Sequence, residues 1–250
     1  MPANHLALQA RGLSKSFGSV VGLQALDLSI SPGEVFCLLG ANGAGKTTTV
    51  KLFLGFLQPD RGSALVNGIE VAKNPMEARR HLAYLPESVA LYEKLTGLEN
   101  IAFFDRLAGR QRSMDELSAL LLDAGLPENA LERRAADYSK GMRQKVGIAI
   151  AMAKGAKVIL LDEPLSGLDP SAANALGELI GRLRQQGCAV LMATHDIFRA
   201  KEIGDRIGIM MQGKLVNSLD TSSLDAREIE AIYLQHLHES GQAEGSRALP

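Results

Sequence analysis

No tryptophan occurs anywhere in this chain, and aromatic residues of every kind make up only 4% of it. A surface that stacks nucleic-acid bases is therefore poorly supported. An excess of either charge is missing too: 27 Lys and Arg stand against 28 Asp and Glu, for a net charge of −1. Nothing in that balance asks for a bulk electrostatic partner, and no nucleic-acid partner is expected. Cysteine is scarce. Cys37 and Cys188 each sit inside an apolar run and read as buried thiols in a reducing compartment. The opening MPANHLALQA lacks a charged head followed by an apolar stretch, so no secretory leader is expected. No apolar run approaches the roughly 20 residues of a membrane span. The chain is expected to be soluble, and it remains free to dock on a membrane protein.

What is present is ordinary in amount and informative in order. Hydrophobic residues are 46% and charged residues 22% of 250. That suits one α/β domain with an added lobe. LALQARGL and LQALDLSI alternate with period two, and GSALVNGIEV holds an Asn67-Gly68 turn signal, so the N-terminal part predicts antiparallel strands. GEVFCLLG, AKVILLDEP and CAVLMATHD are short continuous apolar runs of the kind buried on both faces of a parallel sheet. A helix is expected over Lys46–Leu57. A second follows Asp169 as cap and Pro170 as first residue, and ends at Gly187. From Thr96 to about Met152 the chain reads as helical and interrupts the strand–helix alternation. Thr96/Glu99 and Ser113/Glu116 fit capping boxes there, and Gly125 and Pro127 stop a helix. Near the end, REIEAIYLQHLHES has helical spacing and GQAEGSRALP reads as a flexible tail.

The chemistry starts at GANGAGKTT, residues 40–48, which contains G-x-x-x-x-G-K-[ST] between an expected strand and an expected helix. Its glycines let successive backbone N–H groups turn inward on phosphate oxygens, and the helix N-terminus adds positive potential. Gly40, Asn42, Gly43, Ala44, Gly45, Lys46, Thr47 and Thr48 are thus the candidate nucleotide-binding positions, with Lys46 aimed at the β- and γ-phosphates and Thr47 at Mg²⁺. Asp162 ends an apolar strand, where open α/β sheets collect ligands, and suits a partner of Mg²⁺. Glu163, one residue on, is a candidate general base for an attacking water. His195 also follows a strand and is placed to meet a γ-phosphate. Ser139, Lys140 and Gly141 open the apolar helix VGIAIAMAKG. A helix cap is the plain reading of that serine.

Taken in order, the phosphate loop, the helical insertion, YSKGM, LLDE, SGLD and THD resemble the nucleotide-binding subunit of ATP-binding cassette (ABC) transporters over about Leu6–Leu215. The resemblance implies an α/β P-loop NTPase (RecA-like) core with a parallel sheet, an N-terminal antiparallel β part and an inserted helical subdomain. Residues 1–90 and 146–217 would form the core, 91–145 the helical subdomain with the signature, and 218–250 a C-terminal extension. It implies ATP and Mg²⁺ as cofactors, Phe17 as the ring under adenine and Glu87 at the position of a metal-facing glutamine. It gives Glu163 the role of catalytic glutamate and His195 that of switch histidine. Ser166–Asp169 match the family's D-loop, with Asp169 counted among the nucleotide-binding positions, and Ser139 and Gly141 become donors to an ATP held by a second copy of the chain. Tyr138, Lys140, Met142 and Glu87 depart from the common pattern. YLPE and YSKGM are similar to a subgroup that serves exporters. The partners implied are a second cassette, head to tail, and a separate integral membrane permease, with this chain cytoplasmic and peripheral on the inner membrane face. The rival is a soluble ABC ATPase acting on ribosomes or DNA, which the single cassette and near-neutral charge disfavour. A GTPase or small-molecule kinase would leave YSKGM unexplained and lacks an N-K-x-D run.

Overall fold

A computed structural model of the chain describes residues 6–245, with side chains through 239. A four-stranded antiparallel sheet has the order β2-β1-β4-β5, built from β1 (Leu8–Phe17), β2 (Val20–Ile30), β4 (Arg61–Val66) and β5 (Ile69–Glu70). Asn67 and Gly68 both have positive φ, 47° and 77°, the mirror-image turn that their sequence announces. Beside it lies a six-stranded sheet. Its members are β10 (Lys214–Asp220), β9 (Arg206–Met211), β3 (Val35–Leu39), β8 (Ala189–Thr194), β7 (Val158–Asp162) and β6 (Leu82–Leu85), in that spatial order. The last five run parallel, and β10 returns antiparallel at the edge.

The continuous apolar runs have a direct structural meaning. In β3, Val35, Cys37 and Leu39 enter one core cluster while Phe36 and Leu38 enter the other. β7 and β8 divide in the same way, so the sheet is buried on both faces and period-two patterning is lost. One face is covered by α5 (Lys140–Lys154) and α6 (Pro170–Gln185), with the lobe of α3 (Gly97–Leu107) and α4 (Met114–Asp123) joining the same cluster. The other is covered by α1 (Lys46–Phe53) and the antiparallel sheet. Both expected capping boxes form: Thr96 and Glu99 at α3, Ser113 and Glu116 at α4. Burial pushes the Cys188 thiol up to about 11, and raises the Cys37 thiol as well with help from Asp205, so both are protonated and inert.

Several elements differ from expectation. α1 stops at Phe53, not Leu57, because Gly55 turns to φ +67° and Arg79 donates from Nε to the Leu54 carbonyl at 2.9 Å. Two short elements were not anticipated, α2 (Pro75–His81) and β6, a strand of only four residues that ends just before Pro86. β6 is anchored by Lys154, whose Nζ donates to the Arg79 and Leu82 carbonyls at 2.7 and 2.6 Å. Also unanticipated are α7 (Ile197–Ile203), β9 and β10. α8 (Ala226–Gly245) continues through GQAEG, so the first half of the expected tail is helical. Residues 246–250 lie outside the described residues.

Candidate functional site

Four neighbouring parallel strands, β3, β8, β7 and β6, finish at one edge. Register makes this quantitative: Leu39 pairs with Thr194, Asp162 with Ala193, and Leu85 with Leu161. The residues that follow, 40–47, His195, Glu163 and Glu87, are therefore gathered at the same edge although they lie far apart in sequence. The backbone joins them further. Gly40 N donates to Thr194 O at 3.2 Å, and Glu163 N to Ala193 O at 2.9 Å.

The phosphate loop leaves β3 and enters α1. A Cβ on Gly40 would stand 2.5 Å from the Met210 carbonyl, and Gly45 sits at φ +107°, so both positions demand glycine. The turn between β9 and β10 backs the loop, with Gly213 N donating to Ala44 O at 3.0 Å. Lys46 is 5% exposed, and its Nζ donates to the Gly40 and Ala41 carbonyls at 2.6 and 3.1 Å. Burial draws its ammonium below the ordinary lysine range, against the charges of Glu163 and Asp162. Thr47 donates its hydroxyl to Asp162, 3.2 Å from Oδ2 and 3.4 Å from Oδ1. Burial raises the Asp162 carboxyl above the ordinary range.

Glu163 is the unusual residue. Its φ is +49°, a left-handed conformation that a residue with a Cβ adopts only when its surroundings enforce it. Its Oε1 lies 3.0 Å from His195 Nδ1 and 3.7 Å from Lys46 Nζ, yet no donor is aligned on it, and it is shut off from solvent. A buried carboxylate oxygen between the Lys46 ammonium and the His195 imidazole, with no donor aligned on it, is suited to receive a proton from a water. A polar cavity of about 280 Å³ adjoins it, lined in part by Ser166, Gly167, His195, Asp196 and Arg199.

Phe17 reaches this edge indirectly. A Cβ on Gly22 would meet the Phe17 ring, and the Gly22 carbonyl is also where a Cβ on Gly45 would collide. The 46%-exposed ring thus stands beside the phosphate loop, with Lys15 Nζ 5.9 Å above it. Asp169 accepts from Ala172 N at 2.9 Å as the cap of α6. Ser139 caps α5, its Oγ accepting from Met142 N at 3.3 Å, so the plain reading of that serine holds. Among the described residues no hydrogen bond or ion pair joins Ser139 or Gly141 to residues 40–48. The α5 N-terminus packs instead on the start of α6, where a Cβ on Gly141 would stand 3.2 Å from the Ala172 methyl. Glu87 turns to Lys140, with Oε1 3.7 Å from Nζ, rather than into the Thr47–Asp162 pair. Gln144, which the sequence hides between Arg143 and Lys145, is fully buried and donates from Nε2 to the Glu87 carbonyl at 3.1 Å. Among the described residues no cluster of three or more His, Cys, Asp or Glu is set to hold a metal ion.

A groove of about 360 Å³ opens between the core and the lobe, lined in part by Tyr84, Phe104, Leu107, Ile150 and Lys154. It lies next to residues 87–94 without being lined by them. The link is aromatic: Tyr92 packs 6.2 Å from Phe104 between ring centroids. Among the described residues no helix is long and apolar enough to cross a membrane.

Comparison with known proteins gives the arrangement a context. The ABC transporter family pattern matches residues 23–166. The daunorubicin/doxorubicin resistance ATP-binding protein DrrA of Streptomyces peucetius is 32% identical over 246 residues, covering 97% of this chain and 74% of that protein. The probable multidrug ABC transporter ATP-binding protein YbhF of Escherichia coli (strain K12) is 31% identical over 242 residues, and the chain spans 42% of its length. A solved ATP-binding subunit of an ABC transporter superposes with a TM-score of 0.78 at 32% identity, over 92% of this chain and 98% of that one.

Proposed function

The chain belongs to the ABC transporter family, and from that premise we propose that it is the ATP-hydrolysing motor of an exporter, working as a head-to-tail pair that drives a separate membrane-spanning subunit. The observation that carries the chemistry is the buried, unbonded Oε1 of Glu163 beside Lys46 and His195, one residue beyond the Thr47–Asp162 pair. Lys46 and the loop N–H groups bind the β- and γ-phosphates, and Phe17 lies under the adenine. Thr47 and Asp162 offer the hard oxygen donors that Mg²⁺ selects, and the bound ion would neutralise charge across the phosphate oxygens. Glu163 takes a proton from water as the water attacks the γ-phosphorus, and ATP and water become ADP and phosphate. His195, its Nδ1 3.0 Å from Glu163 Oε1, is placed to meet the γ-phosphate.

Among the described residues no hydrogen bond ties Ser139 or Gly141 to their own phosphate loop, which supports giving them to the ATP of a second copy. The core–lobe groove, apolar with aromatic Tyr92 and Phe104 beside it, is the docking place for the permease. The division into a core of 1–90 and 146–217, a subdomain of 91–145 and an extension of 218–250 belongs to the same reading, as does a location on the inner membrane face. Names of the relatives support export, and the near-zero net charge speaks against ribosomes or DNA. The test is Glu163→Gln. Turnover is expected to fall by about 10²–10⁴-fold with ATP binding retained; an unchanged rate overturns the role of Glu163.

A further inference from the structure

Two residues that break the family pattern touch each other. Glu87 and Lys140 form an ion pair at 3.7 Å. Each is awkward alone. Lys140 is the first residue of α5, where the helix dipole is already positive, and the first turn holds no acid to offset it. Glu87 adds a negative charge near Asp162, whose carboxyl is already raised by burial and by Glu163. Together they cancel. The pairing is backed by a second contact one turn further along the same helix. Gln144, fully buried, donates from Nε2 to the Glu87 backbone carbonyl and so ties α5 to the segment that carries Glu87.

We propose that the Glu87–Lys140 pair links the two nucleotide sites of the head-to-tail dimer. This rests on the reading that the α5 N-terminus of one copy faces the ATP of the other. In that arrangement Lys140 belongs to the partner's site and Glu87 to the site of its own chain. A γ-phosphate arriving at α5 carries more charge than one exposed carboxylate and sits on the helix axis, so it takes Lys140 away from Glu87. The freed carboxylate then acts at the Thr47–Asp162 edge and at the groove beside it. Glu87 competes with phosphate for Lys140, and it therefore opposes dimerisation until ATP is present on the other side.

The sign of that competition is the test. In a Glu163→Gln background, ATP-dependent dimerisation of the full chain is measured by analytical ultracentrifugation for the parent, E87Q, K140Q and E87Q/K140Q. Removing the Glu87 charge frees Lys140 for phosphate, so E87Q tightens the dimer about two- to fivefold per pair, the range of an exposed ion pair. In the K140Q background the same change does nothing, because no lysine remains to be released. A direct effect of Glu87 on Mg²⁺ would persist in both backgrounds. E87Q acting equally with and without Lys140, or loosening the dimer, overturns the inference and leaves the dimer standing. Failure of the parent to dimerise with ATP overturns the head-to-tail reading, and the inference with it.

Discussion

Backbone strain at Glu163 yields a prediction with a worked magnitude. At φ +49° its Cβ crowds the following carbonyl, a cost of about 1–2 kcal/mol that glycine escapes. Glycine's looser unfolded chain takes back about 0.5–1 kcal/mol. The net advantage of Gly over Ala at this position then lies within about 0–1.5 kcal/mol, centred on roughly 0.75 kcal/mol. Comparing Glu163→Gly with Glu163→Ala isolates it, because both lose the same carboxylate beside Lys46 and His195. In a domain of this size one kcal/mol moves the midpoint by about 2–4 °C. Thermal unfolding followed by circular dichroism without nucleotide should therefore place the glycine variant about 1–4 °C above the alanine variant, with turnover lost in both. An alanine variant as stable as the glycine variant, or more so, refutes the claim that the fold holds its proton acceptor under strain.

Asp162 gives a pH signature. Burial, joined by the charges of Glu163 and Glu87, makes the folded chain hold this proton more tightly than the unfolded chain, despite the Thr47 hydrogen bond and Lys46. Stability contributed by this group is full below the unfolded value and is lost as pH rises through the raised one. Asp162→Asn should then be more stable than the parent to urea at pH 7, with an advantage that shrinks toward pH 4; an advantage that grows on acidification contradicts the assignment. Tyr138→Phe removes a buried hydroxyl that donates to the Ala130 carbonyl at 2.5 Å. Because that carbonyl also accepts from Arg133 N at 3.1 Å, the loss should be only about 0.5–1.5 kcal/mol. A loss well above this, seen in the urea midpoint, would mean that the Gly97 N–H, which this hydroxyl also accepts from, is left without a partner.

The strands that carry function were legible because they are buried on both faces and read as unbroken apolar runs. Caps were legible because Thr96, Ser113, Ser139 and Asp169 satisfy helix N–H groups within three residues, a local matter. What stayed hidden depends on distant partners. β6 is four residues long and exists as a strand because β7 pairs with it and Lys154 holds its entry. The strained φ of Glu163 is imposed by surrounding structure, and glutamate carries no propensity that announces it. Gln144 stands between the charged Arg143 and Lys145, where nothing marks it for burial, and only folding brings the Glu87 carbonyl to it. Phe17 was named by resemblance, and its nearness to the phosphate loop follows from Gly22, a contact no spacing reveals. The direction of Glu87 was likewise unreadable, since Lys140 lies 53 residues away, as their numbers 87 and 140 show.

The central claim is that this ATPase drives a membrane protein. It is tested most directly by tagging the chain at its C-terminus, solubilising membranes gently and identifying what is retained with it. A polytopic membrane protein, lost when Phe104→Asp and Leu107→Asp are introduced into the core–lobe groove, is the predicted result. Recovery of soluble proteins or ribosomes alone would contradict the transport role and leave the hydrolytic chemistry as it stands.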